Sequence, residues 1–423
     1  MPGTGKAIII GGGPAGLATA LRLQQKTKIR CTIYELRPQP TTLGGAIGIV
    51  PNGTRLLDRL GVHEQLLSRG NSRSDITLHS MQGSVLGKSD MARNAKEKTG
   101  YGYMRIKRTD LQDVLLEAVR REGISIHFDK RLTAIDDKDD EDGVKVVFAD
   151  GTVDKADILL GCDGIHSAVR HLHVDPSQSP EYSGMSTLGS MIPAATLPES
   201  VSSQIRGMNA TLTQQGMFFA TTCTASDDEI MWGFSKEVAL PASGDARDGW
   251  EVRRKEEVEG FKTTLLDLLK NAGGEWGSAM RHIVEKTSVV GFYPLYKLPL
   301  GGTWFRGRCL LLGDAAHAMP PHAGQGVAMA LEDAFLIARL LGDVNRPRSE
   351  VFGKFDMIRR PRVDEISIRA GKNGSIRRNT GPWALWLKEV GIRLVMSGAW
   401  GLGLDRWGSE EKHMVYDVEE EAL

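Results

Sequence analysis

The apolar run Ala7-Ile8-Ile9-Ile10 ends directly on Gly11-x-Gly13-x-x-Gly16, and helical spacing of apolar residues begins at once. A tight turn between a buried strand and a helix needs backbone without β-carbons, and glycines at this spacing let N–H groups at the helix start approach a pyrophosphate. The pattern predicts strand 6–10, helix 14–25 and strand 29–35, a βαβ opening that commits the chain to a parallel sheet. Glu35 closes the second strand about 20 residues further on, where a carboxylate accepts hydrogen bonds from a ribose diol. Gly11, Gly13, Ala15, Gly16 and Glu35 are therefore candidate ligands of an adenine dinucleotide. The fingerprint reads only the adenosine diphosphate half, so NAD and FAD fit it equally.

With 423 residues the chain exceeds one ordinary hydrophobic core, which implies two intimately joined domains. Lysine plus arginine (53) balances aspartate plus glutamate (53), removing the bulk electrostatic argument for a nucleic-acid or anionic-membrane partner and leaving a small molecule. Cys31, Cys162, Cys223 and Cys309 lie far apart, without metal-like or disulfide-framework spacing, which fits a reducing, cytoplasmic setting. The apolar run 7–10 passes straight into glycines with no basic region or cleavage pattern, so no secretion signal is expected. The apolar, tryptophan-rich stretch 383–404 is interrupted by Lys388, Glu389 and Arg393, so the expectation is an amphipathic packing helix and no integral membrane segment, with surface association the minor reading. A homodimer is left open.

Further along, Thr109 with Gln112 forms a capping-box pattern ahead of the helical spacing Leu111, Val114, Leu115, Ala118 and Val119. Segment 144–148, the turn Asp150-Gly151 and segment 156–160 predict a hairpin feeding another strand. Between 177 and 298 short alternating runs such as 216–222 and 229–234 predict mainly antiparallel sheet, with one helix near 258–271. Segment 308–313 is again a buried strand and 326–341 an apolar helix; the acid-rich stretch 136–142 reads as a solvated loop.

Two later stretches separate FAD from NAD. Ala156-Asp157-Ile158-Leu159-Leu160-Gly161-Cys162-Asp163-Gly164-Ile165-His166-Ser167-Ala168-Val169-Arg170 resembles the Asp-Gly motif of flavoprotein aromatic hydroxylases, and Gly307-Arg308-Cys309-Leu310-Leu311-Leu312-Gly313-Asp314-Ala315-Ala316-His317 resembles their Gly-Asp motif. The likeness runs on through Pro320-Pro321-His322-Ala323-Gly324-Gln325-Gly326 to Glu332-Asp333-Ala334. In this order the chain resembles the single-component, group A FAD-dependent monooxygenases of the para-hydroxybenzoate hydroxylase fold, nearest to salicylate-hydroxylase-like members and weakest between 177 and 290.

The resemblance implies an α/β architecture: a Rossmann-like FAD-binding domain of GR2 type from residues 1–176 and 299–380, an inserted antiparallel-sheet substrate domain at 177–298, and a C-terminal helical extension at 381–423. It implies non-covalent FAD, with Asp314 on a ribityl hydroxyl, Arg108 on the flavin phosphate and ribityl region, and Gly48, in the loop 44–48, letting backbone pass the isoalloxazine. Gly324, Gly326 and Val327 would offer N–H groups and a helix N-terminus to the flavin N1–C2=O edge, where charge collects on reduction. Asp163 and Arg170 belong to the motif linked with both FAD and NAD(P)H, while the chain has no second glycine fingerprint, so NAD(P)H is a transient co-substrate. His317 reads as structural.

The implied activity is hydroxylation of a small aromatic substrate with NAD(P)H and O2 through a C4a-hydroperoxyflavin. His322 is the implied catalytic base, an imidazole titrating around pH 6–7, with Arg206 the second catalytic candidate; Phe218, Phe219, Trp232, Phe234 and Tyr293 are candidate pocket residues. The runner-up is an epoxidase or hydroxylase that tailors a polycyclic natural product in secondary metabolism or inactivates a drug, since Met319-Pro320-Pro321 and the Gly-Gln-Gly turn also resemble tetracycline-inactivating members. A rival of another class is an oxidase or dehydrogenase that uses FAD without oxygen insertion.

Overall fold

In the computed structural model, which describes residues 5–40, 45–138, 143–239, 251–252, 255–343, 346–402 and 408–423, the opening βαβ unit is Lys6–Ile10, Pro14–Lys26 and Arg30–Tyr34. Lys6–Ile10 is central in a six-stranded sheet, pairing in parallel with Arg30–Tyr34 on one side and Ile158–Gly161 on the other. Cys309–Leu311 extends it in parallel beyond Ile158–Gly161, and Ser125–His127 extends it beyond Arg30–Tyr34. Strands buried on both faces need continuous apolar sequence, which the runs 7–10, 158–160 and 309–312 supply, and all of these residues lie in the main core.

The second sheet has eight strands, in the order Glu251–Val252, Gly291–Lys297, Glu181–Pro193, Glu229–Glu237, Gly216–Thr222, Met208–Thr213, Asp75–His79 and Val85–Asp90. Two of them come from the first 176 residues, which the alternating pattern after 177 gave no means of anticipating. Alternation sets the faces: Ile230, Trp232 and Phe234 turn outward with Phe218 and Ala220 into a core under the helices Lys255–Leu269 and Gly274–Lys286. The sequence led us to expect one helix there. That helix, expected near 258–271, is Lys255–Leu269; Gly274–Lys286 is a second one that the sequence reading missed, and the turn between them requires glycine because a β-carbon on Gly273 would meet the Gln82 carbonyl and Gly274 has φ +66°.

The helix after the short strand Met104–Lys107 starts at Arg108 and carries no side-chain cap. The expected capping box is therefore absent: Gln112 instead donates through its side-chain amide to the carbonyl of Gly12, tying this helix to the first glycine turn. Of the acid-rich loop, residues 139–142 lie outside the described residues, as do Gly44 of the loop 44–48 and the end of the stretch 383–404.

The helix Gly326–Gly342 is apolar on nearly every side yet buries two adjacent acids, Glu332 and Asp333, both fully inaccessible. Arg359, from the long helix Arg348–Ser375, is equally inaccessible and answers both, with 2.6 Å to Glu332 and 2.8 Å to Asp333. Arg362 adds a second cation on Glu332 at 2.8 Å. Burial opposes the ionised form of each acid, but the arginines on Glu332, and His317 with Arg359 on Asp333, outweigh it and hold both below the ordinary carboxylate range. Arg359→Met should leave two buried anions short of a cation and lower stability by about 3–5 kcal/mol, seen as a large fall in thermal midpoint. A midpoint within a degree of wild type contradicts this account of the network.

Candidate active site

The glycine turn divides into positions that close the loop and one that leaves room. A β-carbon on Gly11, at φ +107°, would come within 2.3 Å of the Cys162 carbonyl oxygen, and one on Gly16 within 2.0 Å of that of Gly11. Gly13 has nothing within 4 Å of where its β-carbon would stand. The first and third glycines thus pack the turn, while the second faces the space that a pyrophosphate at the helix N-terminus requires. Glu35 follows the second strand and accepts from the N–H groups of Gly12 at 2.7 Å and Arg37 at 2.9 Å, which orients its carboxylate beside the same turn.

Asp314 begins the short helix Asp314–His317 directly after Gly313, whose φ of +59° turns the chain sharply at the strand end. Its side chain is reachable by solvent and yet ringed by protein, and burial pushes its carboxyl pKa up against the opposing pull of His317 and Arg108. It makes no hydrogen bond among the described residues. An acceptor with these properties suits a hydroxyl-rich ligand chain. Arg108, exposed at the start of its helix, has its guanidinium 5.8 Å from the Tyr293 ring of the second sheet. The turn before Asp314 is held from below: Asp333 accepts from the N–H of Gly313 at 2.8 Å and pairs with His317 Nε2 at 2.7 Å.

Asp163 is used within its own motif, accepting from the Ser167 hydroxyl at 2.6 Å and from the N–H groups of Ala168 and Val169. Arg170 is buried and clamps the two motifs together, donating to the carbonyls of Ala315, at 2.8 Å, and Ile165. Gly48 lies opposite Arg105 in the two-stranded ladder of Ala46–Ile49 and Met104–Lys107. A β-carbon on Gly48 would strike the Tyr103 hydroxyl at 2.2 Å, so the demand for glycine comes from Tyr103. Gly324, at φ +63°, and Gly326 have nothing within 4 Å of their β-carbon positions, and Val327 follows in the first turn of the helix Gly326–Gly342.

His322 does not titrate where expected. Burial, and then the adjacent Arg377, push its pKa down to about 3, and an Arg377 N–H reaches its Nδ1 at 2.8 Å. The imidazole is neutral at physiological pH with Nδ1 occupied as an acceptor, so the inflection anticipated at pH 6–7 is corrected. Arg206 is exposed on the loop before Met208–Thr213; its carbonyl accepts from Asn209 at 3.3 Å, and its side chain has no partner among the described residues. Of the candidate pocket residues, Phe218, Trp232 and Phe234 belong to the outer core, while Phe219 and Tyr293 lie on the opposite face.

Facing that inner surface, from the two-stranded ladder, is a residue the sequence reading missed. Arg105 is 5 % exposed and bonds the Thr221 hydroxyl of the sheet and, at 2.8 Å, the Tyr103 hydroxyl. No carboxylate pairs with it among the described residues. The N–H of Ala46 approaches the Met231 sulfur at 3.1 Å nearby, so the two domains meet along this strip.

A glycine turn with room at its centre, a carboxylate beside it, a second carboxylate, without a hydrogen bond among the described residues, at the start of the helix Asp314–His317 and an arginine at a helix start together suit FAD. The fold and these features define a flavin-binding α/β protein. The FAD binding domain family matches residues 4–262 and 300–369, and the chain belongs to this family, that of the group A FAD-dependent monooxygenases. It is 30% identical to 6-hydroxynicotinate 3-monooxygenase of Pseudomonas fluorescens, over 92% of this chain and 96% of that protein. It is also 30% identical to a salicylate hydroxylase of Pseudomonas putida, over 87% and 85%. Klebsiella pneumoniae HpxO, solved with FAD and uric acid, has the same fold at 21% identity, with a TM-score of 0.79 covering 96% and 97% of the two chains.

Gly13→Ala should leave the thermal midpoint of FAD-free protein unchanged while weakening FAD binding at least about tenfold, because its methyl enters the ligand's space and meets no protein atom. Gly11→Ala should lower the midpoint itself. Equal midpoints and equal FAD affinities for both variants contradict the division of roles.

Proposed function

We propose that the chain hydroxylates a small aromatic compound bearing an acidic group, using NAD(P)H and O2, in the cleft between the FAD domain and the inner face of the eight-stranded sheet. Bound FAD supplies hydride acceptance and oxygen activation. Arg105 carries the reading of substrate class: a guanidinium this buried, held by two hydroxyls and the face of the Tyr103 ring at 5.1 Å and by no carboxylate among the described residues, keeps a charge that an aromatic carboxylate or phenolate would neutralise. The named relatives that act on a hydroxynicotinate and on salicylate support it. The four cysteines, all free and buried, support a reducing, cytoplasmic setting.

In this reading Asp314, Glu35, Arg108 and the N–H groups around Gly13 hold the cofactor. The helix start at Gly326, with Gly324 beside it, places positive dipole and N–H donors where negative charge is to be stabilised. Asp163 and Arg170 fix the wall between the Asp-Gly and Gly-Asp motifs. His322 serves by position, since its Nδ1 accepts from Arg377 and Asn373 donates to its carbonyl at 3.2 Å, anchoring the turn Pro321–Ala323 to the long helix. Arg105, rather than the second catalytic candidate Arg206, is in this reading the cation directed at substrate. Phe219 and Tyr293 flank the inner face and help to exclude water.

Arg105→Gln should retain FAD and raise KM for aromatic acids by about 10–100-fold, the loss of a charged hydrogen bond, while leaving neutral phenols little affected. Substrate-stimulated NAD(P)H oxidation, with mass spectrometry for a product heavier by one oxygen atom, reads this. A wild type that prefers neutral phenols over hydroxybenzoates overturns the assignment. No rate inflection near pH 6.5 should be traceable to His322, because its imidazole takes a proton only near pH 3; an inflection abolished by His322→Gln would restore it as the base.

A further inference from the structure

The helix Pro382–Leu402 is built inside out for a surface helix. Its inward face, Leu385 and Ile392, packs on the sheet against Ala210, Leu212 and Met217, and Met396 lies where any β-carbon on Gly87 would be. Its outward face should then be polar. Instead Trp383, Trp386, Leu387, Val390 and Leu394 follow the spacing i, i+3, i+4, i+7, i+11, which puts them on one face. Trp383 is 80% exposed, Trp386 55%, Leu387 61% and Leu394 66%, with Val395 at the margin 54%.

Four large apolar side chains exposed on one helix face around a half-buried Val390, with Val395 at the margin, exceed the scattered apolar residues of an ordinary surface and mark a docking face. The flanks say what it docks on. Lys388 and Arg393 border the apolar face, and Lys88 on the neighbouring strand Val85–Asp90 and Lys372 at the end of the preceding helix are exposed. The one acid of the helix, Glu389, is turned inward and held by a backbone hydrogen bond at Met81. Two tryptophans, aliphatic residues between them and a fringe of cations suit the headgroup boundary of a bilayer, where indole rings settle at the interface and lysine and arginine meet lipid phosphates. No helix among the described residues is long and apolar enough to cross a membrane, and one sheet already covers the opposite face of this helix. An in-plane orientation satisfies both facts.

We propose that Pro382–Leu402 seats the protein on an anionic membrane surface, with its tryptophan face in the headgroup layer. The local charge achieves this in a chain whose formal net charge is zero. A lipophilic aromatic substrate would then be taken up from the bilayer surface, a consequence that rests on the proposed oxygenation, whereas the docking does not.

The test is co-sedimentation of FAD-loaded protein with vesicles of phosphatidylcholine alone or mixed with phosphatidylserine. Wild type should pellet with the mixed vesicles, less with phosphatidylcholine alone and less at high salt. Trp383→Ser, Trp386→Ser and Leu394→Ser combined should cut partitioning at least about tenfold while FAD content and thermal midpoint stay unchanged. Lys88→Gln, Lys372→Gln and Arg393→Gln combined should remove the preference for phosphatidylserine. Failure of wild type to pellet with any vesicle, or unchanged pelleting of the serine variant, overturns the proposal. So does a wild-type dimer in sedimentation velocity that the serine variant converts to monomer, because the face would then be covered by a second copy.

Discussion

Asp333 is the constraint on which the site depends. One of its oxygens accepts from the N–H of Gly313 and pairs with His317, and the other takes Arg359. The first pair fixes the left-handed turn that delivers Asp314 to the cleft; the second ties that turn to the long helix. Glu332, one residue earlier, reaches through Asn52 at 2.8 Å to the helix Pro51–Arg59, which follows the strand carrying Gly48. Three distant parts of the chain are thereby held in one arrangement around the cofactor cradle. A buried ion network of this kind adds little net stability over a well-packed apolar core, since desolvation offsets much of the attraction. Its value is geometric, because the arrangement has one satisfied form and every partial form leaves a charge exposed to a low-dielectric interior.

The second requirement is a join between two domains. Arg105 to Thr221, Ala46 to Met231 and Arg108 to Tyr293 are among the contacts that carry it, and each brings a residue beside the cradle to the inner face of the sheet. A cleft between a nucleotide fold and a separate sheet lets one layer hold the cofactor while the other sets the shape and polarity offered to substrate. Phe218, Trp232 and Phe234 hold that sheet rigid from behind.

What could be read from the sequence follows from how local its cause is. The roles of Gly11 and Gly16 are steric and contained within a few residues, so the first glycine turn was legible, as were the strands at 6–10 and 158–161 with their continuous apolar runs. Thr109 and Gln112 matched a local pattern that a tertiary contact overrode, Gln112 being drawn to Gly12 from a distant part of the chain. The strands Asp75–His79 and Val85–Asp90 join a sheet whose other members begin a hundred residues later, a pairing no local periodicity encodes. Nothing in the local sequence Met104–Lys107 marks Arg105, and what distinguishes it is burial without a carboxylate partner among the described residues. The lowered pKa of His322 likewise comes from burial and from Arg377, 55 residues away in sequence. One signal was available and unused: adjacent acids in an otherwise apolar helix, Glu332 and Asp333, require buried cations, and the arginines of 359–362 are the natural source.

The most direct test of this account is a double-mutant cycle on FAD affinity with Asp314→Asn and Asp333→Asn, measured by flavin fluorescence on refolded or reconstituted protein. If Asp333 acts on the cofactor only by setting the turn that aims Asp314, each single variant weakens FAD and the double is little worse than either, a coupling of about 1 kcal/mol or more. Losses that simply add, or an Asp333→Asn protein that binds FAD as wild type does, would contradict it.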